Sequence, residues 1–224
     1  MVAAAATYRG CVTAVDAIVL AGGRSSRFGS DKARLALDGV TMVDRTVAAA
    51  RLVDPRHVVV VADPELPVAG PVVRTRERPA YAGPAAGVLA GLRAVPGPQT
   101  DDGWVLLLGC DTPRVAEAVR TLLAHDVAPD ADGVLLVHEG RPQWLLGRYR
   151  RGPLLRAADR LGDPTDRALR HLLGDLHLER STPPTTAPPT STPPQTCTAS
   201  APTPAPPGRA ETQLQRSDRT AAES

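Results

Sequence analysis

The apolar run Ala17-Ile18-Val19-Leu20, followed at once by Ala21-Gly22-Gly23-Arg24-Ser25-Ser26-Arg27-Phe28-Gly29-Ser30-Asp31-Lys32-Ala33, constrains this chain more than any other stretch. A short β-branched run closed by two glycines reads as a strand whose carboxyl end opens into a loop of bare backbone N–H groups. Arg24, Arg27 and Lys32 place positive charge around those groups, and the combination suits a polyphosphate. The loop is not a P-loop, because Gly29 is followed by Ser30-Asp31-Lys32 rather than by Lys-Ser/Thr, and the dinucleotide pattern G-x-G-x-x-G is absent. Gly22-Gly23 alone would suit any strand-to-helix turn with surface arginines. The ordered set of Gly, Ser, Arg, Gly, Asp and Lys favours a nucleotide-binding role.

The surrounding pattern predicts the fold class. Short apolar runs at 15–20, 57–62, 71–74, 104–108, 133–137 and 144–149 alternate with helical periodicities, which argues for a mostly parallel sheet covered by helices on both faces. Thr41 with Asp44 three residues on predicts a capped helix whose Val43, Val47 and Ala50 share a face, ended by Asp54-Pro55. Thr112-Pro113 predicts a second helix start, with Val115, Val119, Leu122 and Leu123 on one face, and this puts Asp111 at a strand's carboxyl end, where open α/β sheets bind ligands. A further helix is expected after Thr165, with Ala168, Leu169, Leu172 and Leu173 turned inward.

Composition divides the 224 residues into an extension over 1–13, a folded domain over 14–178 and a tail over 179–224. Ten of the 23 prolines fall between 183 and 207, and Leu214 is the only large aliphatic residue after Leu178. Such sequence cannot bury enough apolar surface to offset chain ordering, so a disordered tail is expected, serving as a linker, a glycosylated stalk or nothing at all. The net charge of +2, with arginines spread along the chain, excludes a nucleic-acid partner. Three scattered cysteines offer neither a disulfide framework nor a C-x-x-C zinc pair, and they suit a reducing cytoplasm. The absence of a long apolar run or a leader-like start predicts a soluble protein with no membrane partner. Oligomeric state is not legible.

The loop resembles the L-A-G-G-x-S-x-R-M-G-x-D-K signature of nucleotidyltransferases that activate sugars, cofactors and isoprenoid precursors. Its Asp31-Lys32-Ala33 ending is similar to the molybdenum cofactor guanylyltransferase (MobA-like) family, with Phe28 in place of the usual Met. Three further segments fit that pattern in order. Gly83-Pro84-Ala85-Ala86-Gly87-Val88-Leu89-Ala90-Gly91-Leu92 is similar to the family's G-P-L-A-G-L segment, which either admits a base or ribose close to the backbone or begins a tightly packed helix. Leu108-Gly109-Cys110-Asp111-Thr112-Pro113 is similar to C-D-T-P, and Pro142-Gln143-Trp144-Leu145 to the strand facing the acceptor.

The resemblance implies a Rossmann-like three-layer α/β/α nucleotidyltransferase fold. It also implies transfer of a nucleoside monophosphate, GMP from GTP, to a molybdopterin-type phosphorylated acceptor, with pyrophosphate released. Leu20, Ala21, Gly22, Gly23, Arg24, Ser25, Lys32, Glu77, Gly83, Pro84, Gly87 and Asp111 are then the nucleotide-binding set. Arg27, Lys32 and Asp111 are the catalytic set, with Asp111 also the ligand of Mg²⁺, since a hard cation prefers carboxylate oxygen; its plainer role is a helix cap. Gln143 binds the acceptor or satisfies a strand edge, and Cys110 is a buried packing residue.

The chain departs from the family in two places. Val61 stands where an Asn is usual, and Arg76-Glu77 where an Asp is usual, with Asp63 or Glu77 as the substitute. The acidic or amide residue before a final Thr-Pro is not found after Leu178, and the abrupt change of composition there suggests a reading-frame shift or gene truncation. The same chemistry with CTP or another acceptor, and a catalytically impaired nucleotide-binding protein, are the competing readings.

Overall fold

Alternation along the first strand builds both halves of the core. In β1 (Val15–Leu20), Ala17 and Val19 point to one face of a sheet and Ile18 and Leu20 to the other, and all four are buried. The computed structural model describes residues 14–22, 32–98 and 101–182. After β1 the described chain resumes in a 3₁₀ turn (Lys32–Arg34) and a hairpin, β2 (Ala36–Leu37) and β3 (Val40–Thr41), turned by Asp38-Gly39 at positive φ. There follow α1 (Met42–Ala50), β4 (His57–Val61), β5 (Val73–Thr75), α2 (Pro84–Ala94), β6 (Trp104–Gly109) and α3 (Val115–Ala124). The last elements are β7 (Gly133–His138), β8 (Arg141–Arg150), α4 (Arg151–Leu161), α5 (Leu169–Leu173) and β9 (Leu178–Ser181).

Seven strands form one sheet in the order β5-β4-β1-β6-β8-β7-β9. All neighbours run parallel except β8, which is antiparallel to both β6 and β7. One face carries α1 and α3 over Val19, Val60, Leu106 and Leu108; the other carries α2, α4 and α5 over Ile18, Val59, Val105 and Leu107. The expected three-layer, mostly parallel α/β architecture is therefore the one observed. From β1 the chain turns to β4 on one side, and from β6 it crosses to β7 on the other, so the strand order reverses between the carboxyl ends of β1 and β6. A crevice opens at such a switch point.

Small residues set how closely α2 lies on the sheet. A Cβ added to Gly91 would stand 2.5 Å from Ile18 Cγ2 and 3.2 Å from Val61 Cγ2, so the helix rests directly on β1 and β4. At the opposite end of β1, Asp16 is fully buried and meets three basic side chains. Arg56 Nη2 reaches Oδ2 at 2.6 Å, His57 Nδ1 lies 2.9 Å from Oδ1, and Arg151, 1% exposed at the start of α4, bonds Oδ2 as well. This group ties the amino-terminal edges of β1 and β4 to α4, on the far side of the sheet from the crevice.

Helix α1 forms as the sequence predicts: Thr41 Oγ1 accepts the Asp44 N–H at 3.2 Å, and Val43, Val47 and Ala50 are buried. Leu123, expected on the apolar face of the second helix, is exposed, β8 extends the strand expected at 144–149 back to Arg141, and four further readings need correction. Helix α3 begins at Val115, and its first carbonyl acceptor is Arg114, which takes the N–H groups of Glu117 and Ala118; Thr112 is not its cap. The third strand is Val73–Thr75 rather than 71–74. In α5, Leu169, Leu172 and Leu173 are buried, but Ala168 is the half-buried residue preceding the helix. The fourth correction is the boundary expected at 178, which falls inside β9: Gly133, Val134, Leu135 and Leu136 pair with Leu178 through Ser181. Polar Glu179 and Arg180 hid that strand. In the sequence Ser181 is followed by Thr182-Pro183, with serine where the resemblance puts an acidic or amide residue. The remainder of the expected tail lies outside the described residues.

Candidate active site

The crevice at the carboxyl ends of β1 and β6 holds two adjoining cavities. The first, about 170 Å³, is lined by Leu20, Ala21 and Gly22 after β1, Lys32 and Ala33 at the 3₁₀ turn, Pro84, then Gly109, Cys110 and Asp111 after β6, and Leu145. The second, about 320 Å³, shares Leu20, Gly22 and Pro84 and adds Val61, Glu77, Tyr81, Gly83 and Gly87. Leu20, Ala21, Gly22, Lys32, Glu77, Gly83, Pro84, Gly87 and Asp111, singled out from sequence, thus line one continuous cleft although they come from four separate segments. Gly23, Arg24, Ser25 and Arg27 lie outside the described residues.

Backbone geometry holds the cleft floor in place. Ala21 N–H donates to Val61 O at 2.9 Å and Cys110 N–H to Leu20 O at 3.2 Å, so the parallel ladders continue one residue past the strands before the loops diverge. Gly22 is exposed and has no positive φ, and a Cβ there would meet only Val61 O at 3.8 Å; the fold itself does not require glycine at this position.

Asp111 is exposed at the crevice lip, and a Cβ on Gly109 would come within 3.2 Å of both its Oδ1 and Leu145 Cδ1. Lys32 is exposed and lines the same cavity. No salt bridge joins either Asp111 or Lys32 to another described residue. One carboxylate and one ammonium therefore face a small polar-floored space.

Of the two possible substitutes for the missing acid, Glu77 is the one in the cleft. Its Oε1 accepts the Tyr81 N–H at 2.9 Å. Asp63 is instead engaged with Arg76 Nη1 at 3.0 Å and with the Glu65 N–H at 3.0 Å. Gln143 does not line either cavity; its Nε2 donates to Arg141 O at 3.1 Å within β8.

Leu145 reaches the cleft through a device that the sequence does not signal. Between Leu135↔Gly147 and Leu136↔Gln143 the β7–β8 register jumps, leaving residues 144–146 of β8 without partners in β7. Tyr149, fully buried, donates its hydroxyl to Trp144 O at 2.8 Å and holds that bulge. Burial pushes the Tyr149 phenol far above its ordinary value, so it remains a protonated donor. Tyr81 was also missed, though its place between Glu77 and Gly83 is a signal; Cys110, expected as packing, is buried and lines the first cavity.

The description of the MobA-like NTP transferase domain matches residues 17–180, which take in every cleft segment. The chain belongs to this family. A probable molybdenum cofactor guanylyltransferase of Bacillus mycoides (strain KBAB4) is 31% identical over 137 residues, covering 59% of this chain and 66% of that protein. A probable molybdenum cofactor guanylyltransferase of Bacillus cytotoxicus is 26% identical over 174 residues, covering 75% of this chain and 84% of that protein. The chain thus spans just under two thirds of the length of the Bacillus mycoides relative. Among solved structures, a nucleotidyl transferase from Methanothermobacter is similar with a TM-score of 0.55 at 22% identity, over 76% of this chain and 88% of that one. Rv0371c from Mycobacterium tuberculosis H37Rv gives 0.54 at 20% identity, over 77% and 89%. At these identities the likeness is one of fold. Among the described residues of this MobA-like chain, no helix is long and apolar enough to cross a membrane.

Proposed function

We propose that this protein is a nucleotidyltransferase that moves GMP from GTP to the terminal phosphate of a molybdopterin-type acceptor. The convergence of Lys32, Asp111 and the Leu20–Gly22 backbone in one cleft, continuous with the cavity bearing Glu77, carries the reading. An oxygen of the acceptor phosphate bonds to the α-phosphorus, the bond from that phosphorus to the bridging oxygen breaks, and pyrophosphate leaves with the electron pair. Such a transfer needs positioning and charge neutralisation rather than a protein nucleophile.

Each residue's part follows from its chemistry. Lys32 meets the negative charge building on the phosphates, and bare backbone around Gly22 lets the chain approach them. Arg27, with Gly23, Arg24 and Ser25, completes the phosphate grip on the strength of the sequence resemblance. Glu77 only accepts hydrogen bonds, which suits guanine: its pairing edge carries adjacent N–H donors, whereas cytosine offers one amino donor beside two acceptors. Apolar Val61 and glycine-rich α2 provide a surface for a flat ring.

Mg²⁺ fits the donor set. Among the described residues there is no group of three or more His, Cys, Asp or Glu able to cage an ion, and Asp111 is an exposed hard oxygen donor beside the phosphate space. Mg²⁺ usually binds through only one or two carboxylates, the remainder coming from substrate and water, and a single exposed carboxylate supports that reading. Asp111 would hold it, and the ion would supply charge neutralisation to the phosphate oxygens.

The test is pyrophosphate release by the full chain supplied with Mg²⁺, molybdopterin and each nucleoside triphosphate in turn. Release with GTP alone, reduced about 100-fold or more in Asp111→Ala, is the expected result. Release with CTP instead would reassign the base. Nucleotide binding without release from any triphosphate would make the protein a binder, not an enzyme.

A further inference from the structure

We infer that Tyr81 is a base-contacting residue: a nucleobase entering the larger cavity lies against its ring, which sets affinity for the base while the Glu77 carboxylate selects which base. The inference rests on the nucleotide-binding reading above and adds a residue to it. Tyr81 is 47% exposed, yet its ring forms part of the cavity wall with Glu77, Val61 and Gly87. An aromatic ring so exposed gives the core little; a flat ligand in the cavity would cover it.

The ring is held rather than left to swing. The Tyr81 backbone N–H donates to Glu77 Oε1, and the backbone there sits at φ 64. The Arg76 guanidinium lies over the ring, 4.8 Å from its centroid, and the same guanidinium is anchored by Asp63 at 3.0 Å. Asp63 is fixed in turn by the turn that Arg74 closes through the carbonyls of Pro64 and Leu66. A line of contacts thus runs from the end of β4 through Asp63 and Arg76 to the Tyr81 ring at the cavity mouth. Arg76 and Asp63 are positioning residues in this line. A cation over an aromatic face strengthens with desolvation, so a base packed against Tyr81 also firms the Arg76 contact.

Stacking is tolerant of base identity, because every base has a π-face, whereas hydrogen bonding to a carboxylate is not. The two residues therefore have separable signatures. Equilibrium binding of GTP, ATP, CTP and UTP is to be measured with the full chain and Mg²⁺, for the wild type and for Tyr81→Leu, Tyr81→Phe, Arg76→Gln and Glu77→Gln. Tyr81→Leu is expected to weaken the preferred nucleotide about tenfold or more and to leave the ratios among the four unchanged. Tyr81→Phe, which keeps the π-face, recovers the affinity, and Arg76→Gln gives a smaller loss. Glu77→Gln changes the ratios.

Binding within about twofold of wild type in both Tyr81→Leu and Arg76→Gln overturns the inference even where GTP turns over normally. If Tyr81→Leu unfolds, Arg76→Gln decides alone. Preference for CTP, or absence of pyrophosphate release, overturns GMP transfer but leaves Tyr81 in place provided that the preferred nucleotide weakens in Tyr81→Leu. A wild-type chain that binds no nucleotide overturns both.

Discussion

Asp16 and Tyr149 are polar side chains buried in the interior, and each has a specific partner. Removing charge from one side of a fully buried ion pair leaves the other uncompensated, so Asp16→Asn, facing Arg151, is expected to cost about 3–5 kcal/mol in urea unfolding. Tyr149→Phe removes the hydroxyl's bond to the Trp144 carbonyl and is expected to cost about 1–3 kcal/mol, with a selective loss of order around Leu145 visible in amide exchange. The site's residues were more legible than these. Gly22, Lys32 and Asp111 stand in the motifs that singled them out in the sequence, and the fold brings them to one cleft. Asp16 carries no such mark in a strand-like run, because its importance depends on an arginine 135 positions away.

Among the elements, α2 joins packing to function most directly. It begins at the cavity with Gly83-Pro84, lines it with Gly87, and rests on β1 and β4 through Gly91. Gly91→Val is expected to lift the helix off Ile18, costing about 1–3 kcal/mol and weakening nucleotide binding along with stability. Pairing it with Ile18→Ala should restore part of both, a non-additivity that a double-mutant cycle measures. Periodicity located α1, α3 and β1 because their buried faces repeat cleanly. It missed α4, where arginines interrupt the apolar stripe, and it misplaced the start of α3, since Thr112-Pro113 has the composition of a cap but the geometry of a turn.

At the scale of the whole molecule, the seven-stranded sheet ends with β9, whose Glu179 accepts the Ala128 N–H at 3.0 Å and lies 2.6 Å from His125 Nε2. The Ala128 N–H first, and His125 second, hold its carboxyl below the ordinary carboxylate value. A carboxylate depressed in the folded state stabilises above its unfolded value and ceases to do so as pH falls through the folded one. Wild type should therefore exceed Glu179→Gln in thermal stability at pH 7, and the two should converge as pH drops below about 4, followed by calorimetry. This strand was hidden from composition because Glu179 and Arg180 begin the polar stretch that reads as tail. The three-layer plan was legible in the alternation of apolar runs, whereas the reversal of β8 was not, since antiparallel pairing leaves no trace in an apolar run of that length. The buried Asp16–Arg151 bond also bears on biogenesis. The central strand is synthesised ahead of β8, and Arg151, the most buried of Asp16's partners, follows β8, so the full set of charges around that carboxylate is assembled only once the chain has passed residue 151.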